Sequence, residues 1–168
     1  MRNAVLLGLA LAALIILVRF ESGALFSSAP MVLCSGPLAA AALIFAHNSL
    51  AATVVLVGMG FYAALTDILP EKLVRRERLI RERARPFSAA LAALILLNSL
   101  RAGLFAITLN VLPLLLPIAA LEGYGLYLAA LFPLKGRITA ANLVKVYAVF
   151  LVGAILEAAL IAISPLSR

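Results

Sequence analysis

Three ionisable residues lie inside long apolar runs of the sequence: Arg101, Glu122 and Glu157. Charges at bilayer depth are costly, so such residues are usually paired or functional. Counted along helices at about 1.5 Å per residue, Arg101 and Glu122 lie about 21 Å and 18 Å from one membrane face. We therefore expect an ion pair between consecutive antiparallel helices, because an unpaired charge there is less stable. Asn98, one turn before Arg101, could add a hydrogen bond.

Two roles for this pair remain open, together with a third arrangement in which Arg101 snorkels unpaired. The pair could fix the register of the helices, or it could belong to a proton or ion pathway. Glu157 lies higher, about 28 Å from the same face at 1.5 Å per residue. It could face the bundle, a partner protein or the outer interface. Lys145, nearer the inner face, can snorkel to the interface.

The residue types needed for catalysis are scarce. The chain has one histidine, His47, and one cysteine, Cys34, and it contains no zinc-binding His-Glu-x-x-His and no glycine-rich phosphate loop. His47, followed by Asn48, is more typical of a hydrogen-bonded turn residue than of a metal ligand. We expect no enzyme activity, no metal and no cofactor.

The overall composition indicates the class of protein that contains these residues. Of 168 residues, 65% are hydrophobic and 12% are charged, with a mean hydropathy of +1.17. A soluble domain of this size cannot bury so many apolar side chains, which argues against a soluble enzyme or a nucleic-acid-binding module. The net charge of +7 does not change this, because half of the basic residues fall in one short segment. The sequence predicts a polytopic membrane protein that binds no nucleic acid.

Apolar length predicts one all-α transmembrane domain over residues 1–168, because about 20 apolar helical residues span a bilayer. Arg19 and Glu21 stand where a signal peptidase needs small residues, so we expect the first helix to be retained. Six spans are predicted, at 3–19, 24–46, 49–69, 87–109, 111–133 and 139–163. The alternative is five spans plus a re-entrant half-helix, since Pro30 and Pro37 interrupt the second segment. The division at His47-Asn48 is weak, and 38–69 could form one long helix.

Residues 70–86 form the one strongly charged segment, which we call the basic segment. Pairs of opposite charge four residues apart favour a short helix there. The positive-inside rule places the segment in the cytoplasm. It is either a solvated topogenic loop or a surface that binds anionic lipid head groups. Its seven basic residues are Lys72, Arg75, Arg76, Arg78, Arg81, Arg83 and Arg85.

Three stretches resemble motifs of the stage II sporulation protein M family of integral membrane proteins. Phe45–Leu50 is similar to a Phe-x-His/Asn-Asn-Leu motif, and Pro117–Glu122 keeps the proline-to-glutamate spacing of a Pro-His-Gly-x-x-Glu signature. Gly153–Ala158 with Ile163–Pro165 resembles the closing Ala-x-Ile-Glu and Ile-Thr-Pro motifs. The chain departs from the signature at Ile118 and Ala119, which replace His-Gly.

The resemblance implies a non-enzymatic membrane component that works with partner proteins, with Glu122 and Glu157 as the carried-over positions. Our first functional hypothesis is accordingly a scaffold or partner subunit that docks other membrane proteins or a second copy. The alternative is a channel or secondary transporter in which Glu122, Glu157 and Arg101 line an ion path. A third hypothesis is a membrane-surface adaptor acting through the basic segment.

Overall fold

The computed structural model describes residues 8–10, 12–14, 16, 36–68, 80–103 and 112–163. These residues form four long helices and contain no strand. The helices are α1 (Pro37–Thr66), α2 (Ala84–Gly103), α3 (Leu112–Leu134) and α4 (Ala140–Ile163). The prediction of an all-α helical bundle is confirmed.

Three segments are long and apolar enough to cross a membrane: Pro37–Thr66, Leu116–Leu134 and Ala140–Leu160. Large apolar side chains such as Val144, Leu151 and Ile155 also lie exposed along α4, as is typical of a helix that faces lipid. The fold is that of a helical membrane protein. The predicted span 3–19 and most of 24–46 fall outside the described residues, so the choice between six and five spans stays a prediction.

The predicted break at His47-Asn48 is wrong, because α1 is continuous from Pro37 to Thr66. Neither residue removes a backbone donor, and the Asn48 side chain has a partner on another helix. The helix begins at Pro37, where no backbone N–H is needed. Gly36 precedes it as the N-cap, with a φ of 103° that glycine adopts readily. The alternative of one helix over 38–69 fits the structure.

The start of α2 differs from the predicted span, which begins at residue 87. Residues 80–82 are helical and α2 begins at Ala84, so Arg85 and Pro86 belong to that helix. Pro86 lies in the first turn, where its missing N–H leaves no hydrogen bond unmade. Residues 69–79, with Lys72, Arg75, Arg76 and Arg78, lie outside the described residues.

Helix α3 is the centre of the described bundle, since it packs against α1, α2 and α4. Ala84 at the start of α2 shares a core cluster with Leu134 at the end of α3, and Tyr62 near the end of α1 packs against it. Gly60 of α1 approaches Ile138, just before α4. The end of α1, the start of α2, the end of α3 and the start of α4 therefore lie together. We call this the basic end.

Small residues allow α3 and α4 to approach closely. Ala129 of α3 and Ala154 of α4 are fully buried. Gly125 faces the ring of Phe150, and a Cβ on Gly125 would lie 2.7 Å from two ring atoms. Because van der Waals contact replaces the hydrophobic driving force between helices in lipid, such close approach is a main source of helix association.

A tight turn joins α3 to α4 at the basic end. Gly136 has a φ of 62°, a left-handed conformation that disfavours side chains with a Cβ. The Arg137 N–H donates to the Phe132 carbonyl at 2.9 Å, and the Gly136 N–H donates to the Pro133 carbonyl at 3.0 Å. This is the Schellman pattern, which satisfies the last carbonyls of α3 and turns the chain directly into α4.

Candidate functional site

The described residues bring polar side chains together where α1, α3 and α4 meet. Asn48 Nδ2 of α1 donates a hydrogen bond of 2.5 Å to Glu122 Oε1 of α3. Both side chains are half-buried. Because one partner is a carboxylate, the bond is stronger than a bond between neutral groups. It therefore fixes the register of α1 against α3.

Glu157 of α4 lies close enough to Glu122 for the two carboxylates to interact electrostatically. The Cγ of Glu122 lies 4.0 Å from the position that a Cβ on Gly153 would take. Gly153 precedes Glu157 by four residues, so both lie on one face of α4. Gly153 thus leaves room for the Glu122 side chain on the face that carries Glu157.

Helix direction also draws these carboxylates together. The Cα–Cβ bonds of a helix tilt toward its N-terminus. Helix α4 starts at the basic end, whereas α3 ends there. Glu157 therefore leans toward the basic end and Glu122 leans away from it, so the two side chains converge from different heights.

His47 is exposed and interacts electrostatically with Glu122. We call His47, Asn48, Glu122 and Glu157 the polar cluster. Among the described residues, no group of three or more His, Cys, Asp or Glu side chains could hold a metal ion. The cluster can instead accept and donate hydrogen bonds. Two negative charges repel each other strongly in a low dielectric, and one positive charge shared by the two carboxylates would relieve this repulsion.

A second interhelical link lies one turn from Asn48. The Thr53 and Tyr147 hydroxyls are 2.9 Å apart, joining α1 to α4, and Thr53 Oγ1 also donates to the Ser49 carbonyl at 2.7 Å. Neither residue is among the candidates predicted from the sequence. Thr53 follows Asn48 and Ser49 at near-helical spacing, and this polar stripe on an apolar helix is the signal that marks the interface.

Arg101 and Asn98 lie in α2, which packs against α3, but their side chains are outside the part of the chain that the structure describes. The predicted Arg101–Glu122 ion pair therefore stays a prediction. The partner that the structure gives Glu122 is Asn48 of α1. Both residues were predicted as candidates, and their pairing was not.

The basic residues of 80–86 lie at the basic end, apart from the polar cluster. Arg81 Nη2 forms an ion pair of 2.9 Å with Asp67 Oδ1 and donates to Thr66 Oγ1 at 2.6 Å. The same nitrogen donates to the Ala63 carbonyl in the last turn of α1. Arg83 and Arg85 are exposed. One residue of the basic segment is thus committed to a helix end, and two face outward.

Comparison of the chain with protein-family models, curated proteins and solved structures finds no match. Fold and site together define a helical membrane protein with a polar cluster where α1, α3 and α4 meet. The resemblance to the stage II sporulation protein M family stays a proposal.

Proposed function

We propose that the protein is a non-enzymatic, multi-pass membrane component that acts as a scaffold or partner subunit, of the type represented by the stage II sporulation protein M family. The Asn48–Glu122 hydrogen bond is the observation that carries the proposal. It joins two helices that are not consecutive, and Glu157 adds the third helix. A bundle locked at its centre presents a fixed outer surface to partner proteins.

The position of these residues in the sequence supports the family assignment. Asn48, Glu122 and Glu157 each come from a different one of the three stretches that resemble family motifs. The structure brings these three residues to one place, although they are scattered over more than a hundred positions.

The proposed location is the cell membrane, with the basic end in the cytoplasm. The described helices alternate in direction, so the 80–86 segment and the α3–α4 turn share one side. Exposed Arg83, Arg85, Lys135 and Arg137 are all at this end. The positive-inside rule assigns such an end to the cytoplasm.

A second candidate function is a proton or cation carrier. The specific observation in its favour is that Glu122 lies against the face of α4 that carries Glu157, next to Gly153. Paired carboxylates at membrane depth need a compensating charge, which a proton, a monovalent cation or Arg101 could supply. A carrier would exchange this charge with water on both sides, whereas a scaffold would keep it fixed.

One experiment separates the two candidates: flux of protons, then of monovalent ions, through proteoliposomes containing wild type or Glu122→Gln. The proposal predicts no flux in either. It also predicts that Glu122→Gln unfolds at lower temperature in detergent, because a charge-assisted hydrogen bond becomes a neutral one of roughly half the strength. Asn48→Ala should lower the free energy of unfolding by about 1.5–3 kcal/mol, since it strands the carboxylate.

Glu82→Gln is the matched control, because it makes the same chemical change at an exposed carboxylate. It should leave the unfolding temperature unchanged. Flux in the wild type that collapses in Glu122→Gln, but not in Glu82→Gln, would refute the scaffold and support the carrier.

A further inference from the structure

Exposed cations from two separate loops meet at the basic end. Arg83 and Arg85 flank the start of α2, and Lys135 and Arg137 flank the α3–α4 turn. All four are exposed. Ala84, between the two arginines, is buried in one cluster with Leu134, next to Lys135. This shared core holds the two pairs at one end of the bundle.

Arg81 does not belong to this surface. Its guanidinium is occupied by Asp67, Thr66 and the last turn of α1. Since Asp67 is paired with Arg81, the exposed carboxylate that remains among the described residues of this end is Glu82. In the described part of this end, four outward cations therefore accompany one such carboxylate, which is a clear positive excess.

The depth of this surface in the bilayer indicates what kind of molecule binds there. Helices α1, α3 and α4 are long enough to span the bilayer, so their shared end lies at the level of the lipid head groups. Phosphate is the most abundant anion at that level, and each Lys or Arg side chain near an anionic lipid surface gains about 1 kcal/mol. We propose that Arg83, Arg85, Lys135 and Arg137 bind the head groups of anionic phospholipids and so select an anionic lipid annulus at the basic end.

This inference does not depend on the polar cluster, and its test uses the full-length chain. Fluorescent phosphatidylglycerol and phosphatidylcholine with identical acyl chains are titrated against the protein in a non-ionic detergent. Wild type should bind phosphatidylglycerol more tightly, by about fivefold for each basic side chain that contacts the head group. The fourfold variant R83Q/R85Q/K135Q/R137Q should bind the two lipids equally. Raising the salt concentration should also reduce the preference.

Two control variants keep the result interpretable. R83K/R85K/K135R/R137K retains every charge and should retain the preference. D67N/R81Q removes a basic residue from the same end without changing the net charge, so it too should retain the preference, even though it lowers stability. Equal binding of the two lipids by wild type would overturn the proposal and leave the basic end to an acidic protein partner. Loss of preference in D67N/R81Q equal to that in the fourfold variant would also overturn it.

Discussion

At the residue scale, Gly125 is the described glycine where the packing leaves least room for an added side chain. A Cβ there would lie 2.7 Å from ring atoms of Phe150, which is itself 2% exposed and has little room to move. Gly125→Ala should therefore lower the free energy of unfolding by about 1–3 kcal/mol, as overpacked cores do. Thermal unfolding in detergent measures the change.

Gly123→Ala serves as the control for this prediction. It adds the same methyl group two residues away, where the nearest atom, Leu96 Cδ2, would be 3.5 Å distant and in ordinary contact. We expect little change in stability. Shortening the aromatic side chain, as in G125A/F150L, should recover part of the loss. Equal destabilisation by the two glycine variants would contradict the close packing described for α3 and α4.

The residues and contacts around the polar cluster differ in how well they can be predicted from the sequence. Glu122 and Glu157 are predictable, because a carboxylate within an apolar run stands out by type alone. The Asn48–Glu122 bond is less so, since the residues are 74 positions apart and the pairing depends on which helices become neighbours. Thr53 and Tyr147 are less visible still, because hydroxyl side chains are common in apolar helices and carry no charge that requires a partner.

At the scale of the helices, Arg81 caps the carboxyl end of α1 although it lies outside that helix in the sequence. The last turn of α1 contains no basic residue, although a cation there would interact favourably with the helix dipole. Arg81 supplies that charge to Ala63, Thr66 and Asp67. Arg81→Gln should lower the free energy of unfolding by about 1–2 kcal/mol. Thermal unfolding in detergent, with hydrogen exchange at the end of α1, would detect it.

Arg85→Gln is the comparison for this effect. It removes the same charge from an exposed position in the neighbouring helix. The expected loss is about 0.5 kcal/mol or less, as for most surface substitutions. If Arg85→Gln destabilised the protein as much as Arg81→Gln, net charge at the basic end would explain the loss and the helix-end contact would not.

Helix boundaries were predictable where turn chemistry is clear. The facing ends of α3 and α4 lie within one residue of the prediction, at 134 and 140 against 133 and 139, because Gly136 and the flanking polar residues interrupt an otherwise apolar sequence. The predicted boundary at His47-Asn48 is wrong because two polar residues do not by themselves interrupt a helix. A polar residue ends a transmembrane helix only if it must reach water, and Asn48 finds its partner within the bundle.

At the scale of the whole molecule, we expect the two ends of the bundle to lie on opposite sides of the membrane, because the described helices alternate in direction. In a Cys34→Ser background, Arg83→Cys and Lys135→Cys should both resist a membrane-impermeant maleimide in intact cells and react in inverted vesicles. Leu38→Cys, 85% exposed near the start of α1, should show the reverse. The reason is the excess of basic residues at one end.

Two outcomes of this labelling experiment would be informative in different ways. Reaction of Arg83→Cys and Lys135→Cys from opposite sides would contradict the shared basic end and thus the bundle itself. Reaction of both from outside would leave the bundle intact and reverse its orientation.

The hydrogen bond between Asn48 and Glu122 has a consequence for how the protein is made. Asn48 leaves the ribosome 74 residues ahead of Glu122. At synthesis rates of about 5–20 residues per second, its amide waits roughly 4–15 s for the carboxylate. During that interval α1 exists without its hydrogen bond to α3. The register that Asn48 gives α1 against α3 can therefore form only after α3 has been synthesised.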